Sequence, residues 1–277
     1  MGTKPKIMEI NSKIESEDCI VCFLDILGYK DLILKEDQLE LFYGILYKHI
    51  GIYDDARNYD VPSDIKATIH AIKIQILGDA LVVIFNLQKF IEEMPKLNIS
   101  HSALDYVAIF LNSVAILIFE LTVDLKYCLR GGITRGKYCQ RSLNSEENQF
   151  IYSKALAEAY NLQEEASVPR ILISSSLYEN LMAEWNSPTK KHILEGLDHK
   201  HYLDIYSYFV GGSYVKKMLR GMQECVKLQV DKNKNERKIL EKYYWLQEYH
   251  NLSVLRLKEA GKIDNEIEFL IDVPYYL

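Results

Sequence analysis

The sequence predicts an α+β fold: a ferredoxin-like sheet with helices on one face, followed by a C-terminal helical extension. Three observations lead there. Short continuous apolar runs, residues 19–24 and 80–85, read as buried strands rather than helices. Longer segments with helical spacing separate such runs, in the order strand, helix, hairpin, helix, strand, strand, helix, strand. From about Ser213 the composition turns to Lys and Glu with interspersed apolar residues, which marks one or two amphipathic helices. On this reading residues 1–17 are a flexible leader, 18–210 form the α+β domain, and 211–277 form an extension packed on it.

Taken in order, the first strand ends at Asp25 and is broken by Gly28. Residues 31–50 carry Leu32, Leu39, Phe42, Ile45 and Leu46 at helical spacing. Residues 65–76 alternate, with Ile72, Ile74 and Ile76 on one side, and Gly78-Asp79 turns the chain into the next apolar strand. Residues 102–121 form a long apolar helix. Its most apolar stretch, 107–119, is shorter than the roughly 20 residues that span a bilayer, so it reads as a core helix. A glycine-containing strand covers 127–134. Next come a strand at 149–152, a helix at 154–166, a strand at 170–174 and a helix at 176–185. Late strands at 192–197 and 201–206 flank a His199-Lys200-His201 turn, and the charged patch 231–238 bends the C-terminal helices.

With 277 residues and 48% hydrophobic composition the chain builds one sizeable core. A formal net charge of -6 argues against a nucleic-acid binder dominated by phosphate contacts. Residues 1–16 show no apolar stretch of the secretory kind, and the five cysteines are odd in number and sit mostly in apolar segments. Free thiols in a reducing compartment, hence a cytoplasmic protein without stable membrane insertion, are the expectation. Cys19 and Cys22 form a CxxC with no second pair at zinc spacing.

Two carboxylates carry the candidate chemistry. Asp25 ends a buried strand, and Asp79 tips a hairpin that lies beside it. Converging strand-end carboxylates suit hard divalent cations, which take oxygen ligands and let substrate phosphates complete the shell. A helix-capping Asp25 and a simple turn aspartate at 79 fit the same spacing. Gly28-Tyr29-Lys30 opens a helix whose N–H groups are suited to phosphate. Arg130, inside the apolar strand Leu129-Arg130-Gly131-Gly132-Ile133, needs a partner: a phosphate, or a salt bridge at the sheet edge. Nothing resembling GxSxG, HExxH or a P-loop occurs.

Together these segments resemble the class III nucleotidyl cyclases. Phe23-Leu24-Asp25-Ile26-Leu27-Gly28-Tyr29 is similar to their metal-binding F-x-D-I-x-G-F segment, and Leu77-Gly78-Asp79-Ala80 to their I-G-D-A hairpin. The run from Leu129 to Gly136 is similar to their R-x-G-I-x-x-G strand, residues 153–163 to their G-x-x-V-N-x-A-x-R-x-E helix, and Arg170-Ile171-Leu172-Ile173 to the strand after it. The matches follow the family's order over residues 18–180.

The resemblance implies two Mg2+ or Mn2+ ions on Asp25, Asp79 and the carbonyl of Ile26, and phosphate contacts from Gly28, Tyr29, Lys30 and Arg130. It also implies departures. Gln75 stands where adenylate cyclases place a base-reading lysine, Phe150 where they place a base-reading aspartate, and Ala157 where they place the ribose-orienting asparagine. Asn161 replaces the catalytic arginine, a role that Lys30, Lys154 or a second subunit is left to fill.

Features around Ala159-Tyr160-x-Leu162, Pro169-Arg170-Ile171, Tyr202-Leu203-Asp204 and the Tyr244 to Asn251 helix resemble the bacterial pyrimidine cyclases of the Pycsar antiphage system. That resemblance implies a homodimer with shared active sites, and UTP or CTP read by Gln75, Phe150 and Lys154. A cyclase-fold nucleotide-binding regulator without turnover, and a polymerase palm-like nucleotidyltransferase, are the competing readings.

Overall fold

The structure, a computed structural model, describes residues 16–29, 36–56, 68, 70–93, 103–142, 149–183, 189–209 and 212–272. Lys30, most of the leader and the first turn of the helix expected from residue 31 lie outside the described residues.

Apolar strands pair into one mixed sheet. Its path runs β2 (Ile72–Leu77), β3 (Ala80–Asn86), β1 (Glu17–Ile26), β4 (Leu129–Ser142), β6 (Ile171–Ile173), β8 (His201–Leu203) and β7 (Ile193–Glu195), with β5 (Gln149–Ser153) pairing on β4. β1 and β4 run antiparallel at the centre, and β4 meets β6 in parallel. Cys19, Ile20, Val21, Cys22 and Leu24 are all fully buried, as a continuous apolar run demands when both faces of a strand are covered.

Helices α1 (Glu36–Ala56), α2 (Leu87–Glu93), α3 (Ala103–Leu125), α5 (Ser175–Met182), α6 (Ser213–Lys232) and α7 (Arg237–Glu259) contribute to the core on one face. The element order placed the helices on one face. The structure adds α4 (Lys154–Glu165), whose Ala155 and Ala159 pack on the opposite face against Cys19, Val21, Val82 and Ile84. Small residues let α4 sit low: a Cβ at Gly132 would lie 2.3 Å from the Ala159 carbonyl oxygen, so only glycine fits beneath the helix.

Helix α3 is long and apolar enough to cross a membrane, yet 67% of its most apolar window is buried in this fold. Phe110, Leu111, Val114, Ile118 and Leu121 face the sheet core. All five cysteines are free and buried. The charged break expected in the C-terminal region falls between α6 and α7, and both helices join the main core through Leu219, Met222, Leu246 and Val254.

Several boundaries differ from the sequence reading. β4 extends eight residues past the expected end at 134, because its second half pairs with β5 as a hairpin. The strand expected from residue 65 begins at Ile72, with helical backbone at 70–71 before it.

Candidate functional site

Strand register decides what meets at the end of β1. Asp25 pairs with Ala80 of β3 on one side and Arg130 of β4 on the other. Side chains alternate along a strand, so Asp25 shares the α4 face with Val21 and Phe23, while Leu24 and Ile26 enter the main core. Asp25 is thus the polar end of an otherwise apolar row, with its side chain 17% exposed.

Three groups surround it. Arg130 Nε donates to Asp25 Oδ2 at 2.8 Å, and Gln163 Nε2 donates to the same oxygen at 3.2 Å. Arg130 Nη2 lies 3.8 Å from Glu164 Oε1. Both readings of Arg130 therefore meet in one place: it forms a salt bridge at the sheet end and keeps guanidinium N–H groups for another anion. Among the described residues Asp25 Oδ1 accepts no hydrogen bond.

Asp79 follows Gly78 in the two-residue turn between β2 and β3, is exposed, and immediately precedes Ala80, the register partner of Asp25. Gly78 adopts φ +66°, a left-handed conformation that admits glycine without strain. The N–H of Leu27 donates to the Cys128 carbonyl at 2.9 Å, so by antiparallel alternation the carbonyl of Ile26 is directed away from β4, toward the hairpin. Two carboxylates and one carbonyl thus gather at the open end of the β1–β3 pair.

That donor set fits Mg2+ or Mn2+, which need oxygen ligands and leave positions for substrate phosphates. The free Oδ1 of Asp25 is the specific feature that fits. Among the described residues no cluster of three His, Cys, Asp or Glu side chains adds a further ligand.

Other expected residues are placed less uniformly. Gly28 (φ +83°) turns the chain out of β1, and Tyr29 packs its ring on Phe42 rather than standing free beside the turn. Gln75, on the α4 face of β2, accepts from the Tyr138 hydroxyl at 2.9 Å. Phe150 pairs with Arg141, three residues on from Tyr138 and so of opposite alternation, and lies on the opposite face of the sheet from Gln75. Within one chain the structure does not bring these two residues together. Lys154 is exposed at the start of α4, roughly 13 Å along the helix from Gln163. Asn161 is exposed on the outer side of α4, two residues from Gln163 and about 200° around the helix from it.

Two residues near Asp25 escaped the sequence reading. Gln163 stands where the family motif has Glu, a position visible in the sequence but without a partner until β1 and α4 are packed. Lys242 of α7 has its pKa lowered by burial first and by Arg130 next, with Asp25 raising it, although the sequence separates it from Asp25 by most of the chain.

Comparison with known proteins finds no matching family model and no matching curated protein. Solved structures do match. The adenylyl cyclase CyaB from P. aeruginosa is 15% identical, with 69% of this chain and 94% of that chain covered and a TM-score of 0.46. A class III adenylyl cyclase-like ATP-binding protein from Pseudomonas aeruginosa is 12% identical, with 75% and 40% covered and a TM-score of 0.43. The guanylyl cyclase Cya2 is 12% identical, with 69% and 92% covered and a TM-score of 0.39.

Proposed function

We propose that this chain is a nucleotidyl cyclase that converts a nucleoside triphosphate, UTP or CTP, into a 3′,5′-cyclic nucleotide and pyrophosphate. One observation carries the reading: Asp25 is fixed at the end of the central strand by Arg130 and Gln163, with one carboxylate oxygen left open beside the Asp79 hairpin.

In the reaction the ribose 3′-oxygen forms a bond to the α-phosphorus while the bond from that phosphorus to the bridging oxygen breaks, and pyrophosphate leaves. Mg2+ or Mn2+ at the carboxylates would supply Lewis acidity, lowering the pKa of the 3′-hydroxyl and offsetting charge on the phosphate oxygens. Asp25, Asp79 and the Ile26 carbonyl would hold the cations. Arg130, already oriented by Asp25, offers its remaining N–H groups to the phosphate chain. The amide of Gln163 restrains Asp25 so that one oxygen faces the opening.

The base is read by Gln75 across a homodimer interface, with Tyr138 orienting its amide. The assignment of Phe150 to the same pocket is dropped, since it lies on the other face. A signalling role in phage defence, in the cytoplasm, completes the reading and is tested by cyclic nucleotide levels before and after infection.

The deciding assay incubates the protein with each of the four NTPs and Mn2+, and follows pyrophosphate and cyclic nucleotide. Cyclic UMP or CMP is the expected product. Turnover of ATP alone would refute the pyrimidine assignment. A second reading, a nucleotide-binding regulator, is favoured by Asn161 and Ala157 at the family's arginine and asparagine positions. It predicts triphosphate binding without pyrophosphate release.

A further inference from the structure

Of the two groups that hold Asp25, only one is charged. Arg130 Nε donates to Oδ2 at 2.8 Å, and the neutral amide of Gln163 donates to the same oxygen at 3.2 Å. The ion pair is built into the sheet, since Asp25 and Arg130 are register partners on β1 and β4. Cross-strand neighbours stay in contact with no loop to order. Both side chains are largely covered, 17% exposed for Asp25 and 23% for Arg130, so solvent screens the pair weakly. Glu164, the other carboxylate near Arg130, lies 3.8 Å away and is 56% exposed, so it holds the guanidinium less firmly.

This pair acts against a bare cation. A divalent ion on Oδ1 would share Asp25 with the guanidinium on Oδ2, placing two like charges on one carboxylate. Phosphate changes the balance. Arg130 has N–H groups beyond the one given to Asp25. Phosphate oxygens that bridge those groups and the cation put negative charge between the two.

We infer that Arg130 sets the order of binding: paired with Asp25, it opposes a divalent cation arriving alone, so that cation and polyphosphate enter together. The inference rests on the nucleotide reading above and deepens it by naming the species bound, the metal–triphosphate chelate. Gln163 holds the same oxygen without charge and has no such effect.

The test uses the full chain and its Arg130→Gln, Arg130→Lys and Gln163→Leu variants. Two probes are titrated calorimetrically, Mn2+ alone and the preformed Mn2+–tripolyphosphate complex, with melting temperatures recorded alongside. Arg130→Gln is expected to tighten Mn2+ by roughly 3- to 10-fold and to weaken the complex by at least about 10-fold. A residue that only braces the strand would weaken both. Arg130→Lys keeps the charge and is expected to bind Mn2+ within about twofold of the wild type. Gln163→Leu removes a hydrogen bond and no charge, and is expected not to tighten Mn2+. Unchanged or weaker Mn2+ binding by Arg130→Gln overturns the inference, as does equal tightening by Arg130→Lys or Gln163→Leu. Should Arg130→Gln not fold, the wild type decides. It must bind the complex at least about 10-fold tighter than Mn2+ alone, and equal affinities overturn the inference.

Failure here is distinguishable from failure of the cyclase reading. Opposite responses of the two probes with no cyclic nucleotide formed refute cyclisation and support the role of Arg130. Cyclic nucleotide formed by the wild type, with Mn2+ affinity not raised by Arg130→Gln, refutes the inference and leaves cyclisation standing. Mn2+ binding that survives Asp25→Asn refutes the cation site on which both rest.

Discussion

At Asp25 a carboxylate at a sheet end accepts two hydrogen bonds on one oxygen and, among the described residues, none on the other. A carboxylate held that way has little rotational freedom, so the open oxygen needs no reordering to take a cation. Asp25→Ala and Asp79→Ala are each expected to lower Mn2+-dependent pyrophosphate release by at least about 100-fold while the far-UV circular dichroism is kept, because each removes a cation ligand rather than core volume. Near wild-type turnover in either variant would sink the assignment. Gln163→Leu separates positioning from ligation. It keeps the volume of a buried side chain and removes the amide, so we expect a several-fold fall in kcat with KM nearly constant, and Gln163→Glu to be worse because it sets two carboxylates side by side. Equal effects of Leu and Glu would argue that Gln163 only packs.

Among the elements, α4 and β4 approach closely at Gly132. A methyl group at Gly132 would also fall 2.4 Å from Leu162 Cβ, with backbone on the other side, so neither neighbour is able to yield cheaply. Gly132→Ala is expected to cost about 1–3 kcal/mol by overpacking, and to lower the melting temperature by roughly 2–10 °C for a chain of this size. It should also depress activity, since α4 carries Gln163. An unchanged melting temperature would show that α4 is not seated as described.

Beside their apolar contacts, α1 and α3 are joined by ion pairs. His49, 4% exposed, sits between Glu120 at 3.1 Å and Asp124 at 2.8 Å, and Lys48 also reaches Asp124 at 2.9 Å. The hydrogen bond with Glu120, helped by Asp124, raises the His49 pKa above its ordinary 6.5 against the opposing effect of burial. The same histidine lowers Glu120, and Lys48 and His49 lower Asp124 despite its desolvation. Because the folded His49 binds its proton more tightly, its contribution is complete below its unfolded pKa and fades as pH rises through the folded value. The two carboxylates contribute in the opposite sense, losing their part as pH falls through their own depressed values. The melting temperature should therefore decline on going from about pH 6 to pH 8, and His49→Gln should flatten that decline. A wild-type curve with the same slope as the variant would refute this.

Among the described residues, the sheet has one face under six helices and the other under α4. Beside α4 lie Gln75 and Tyr138, and the exposed Leu77 stands at the hairpin end. A homodimer formed over this face is the expected assembly, seen as specific activity that falls on dilution and as twice the monomer mass in light scattering. A monomer with full activity would exclude shared sites. Helix α3, apolar but mostly buried, should keep the protein in the supernatant without detergent; recovery only from membranes would contradict the fold as drawn.

The sequence alone determined the strand cores, the helix periods and the Gly78-Asp79 turn, because burial on both faces, 3.6-residue spacing and left-handed glycine are all local constraints. It also located Asp25 at a strand end and Asp79 in a hairpin turn from neighbouring residues, whereas the β1–β3 register is what sets that turn beside Asp25. Only the tertiary structure decided who holds Asp25. Arg130 and Gln163 are 105 and 138 residues away, and register and the seating of α4 bring them to it. The same long-range pairing moved Phe150 away from Gln75: a side chain's face depends on strand register, and one step of register reverses it.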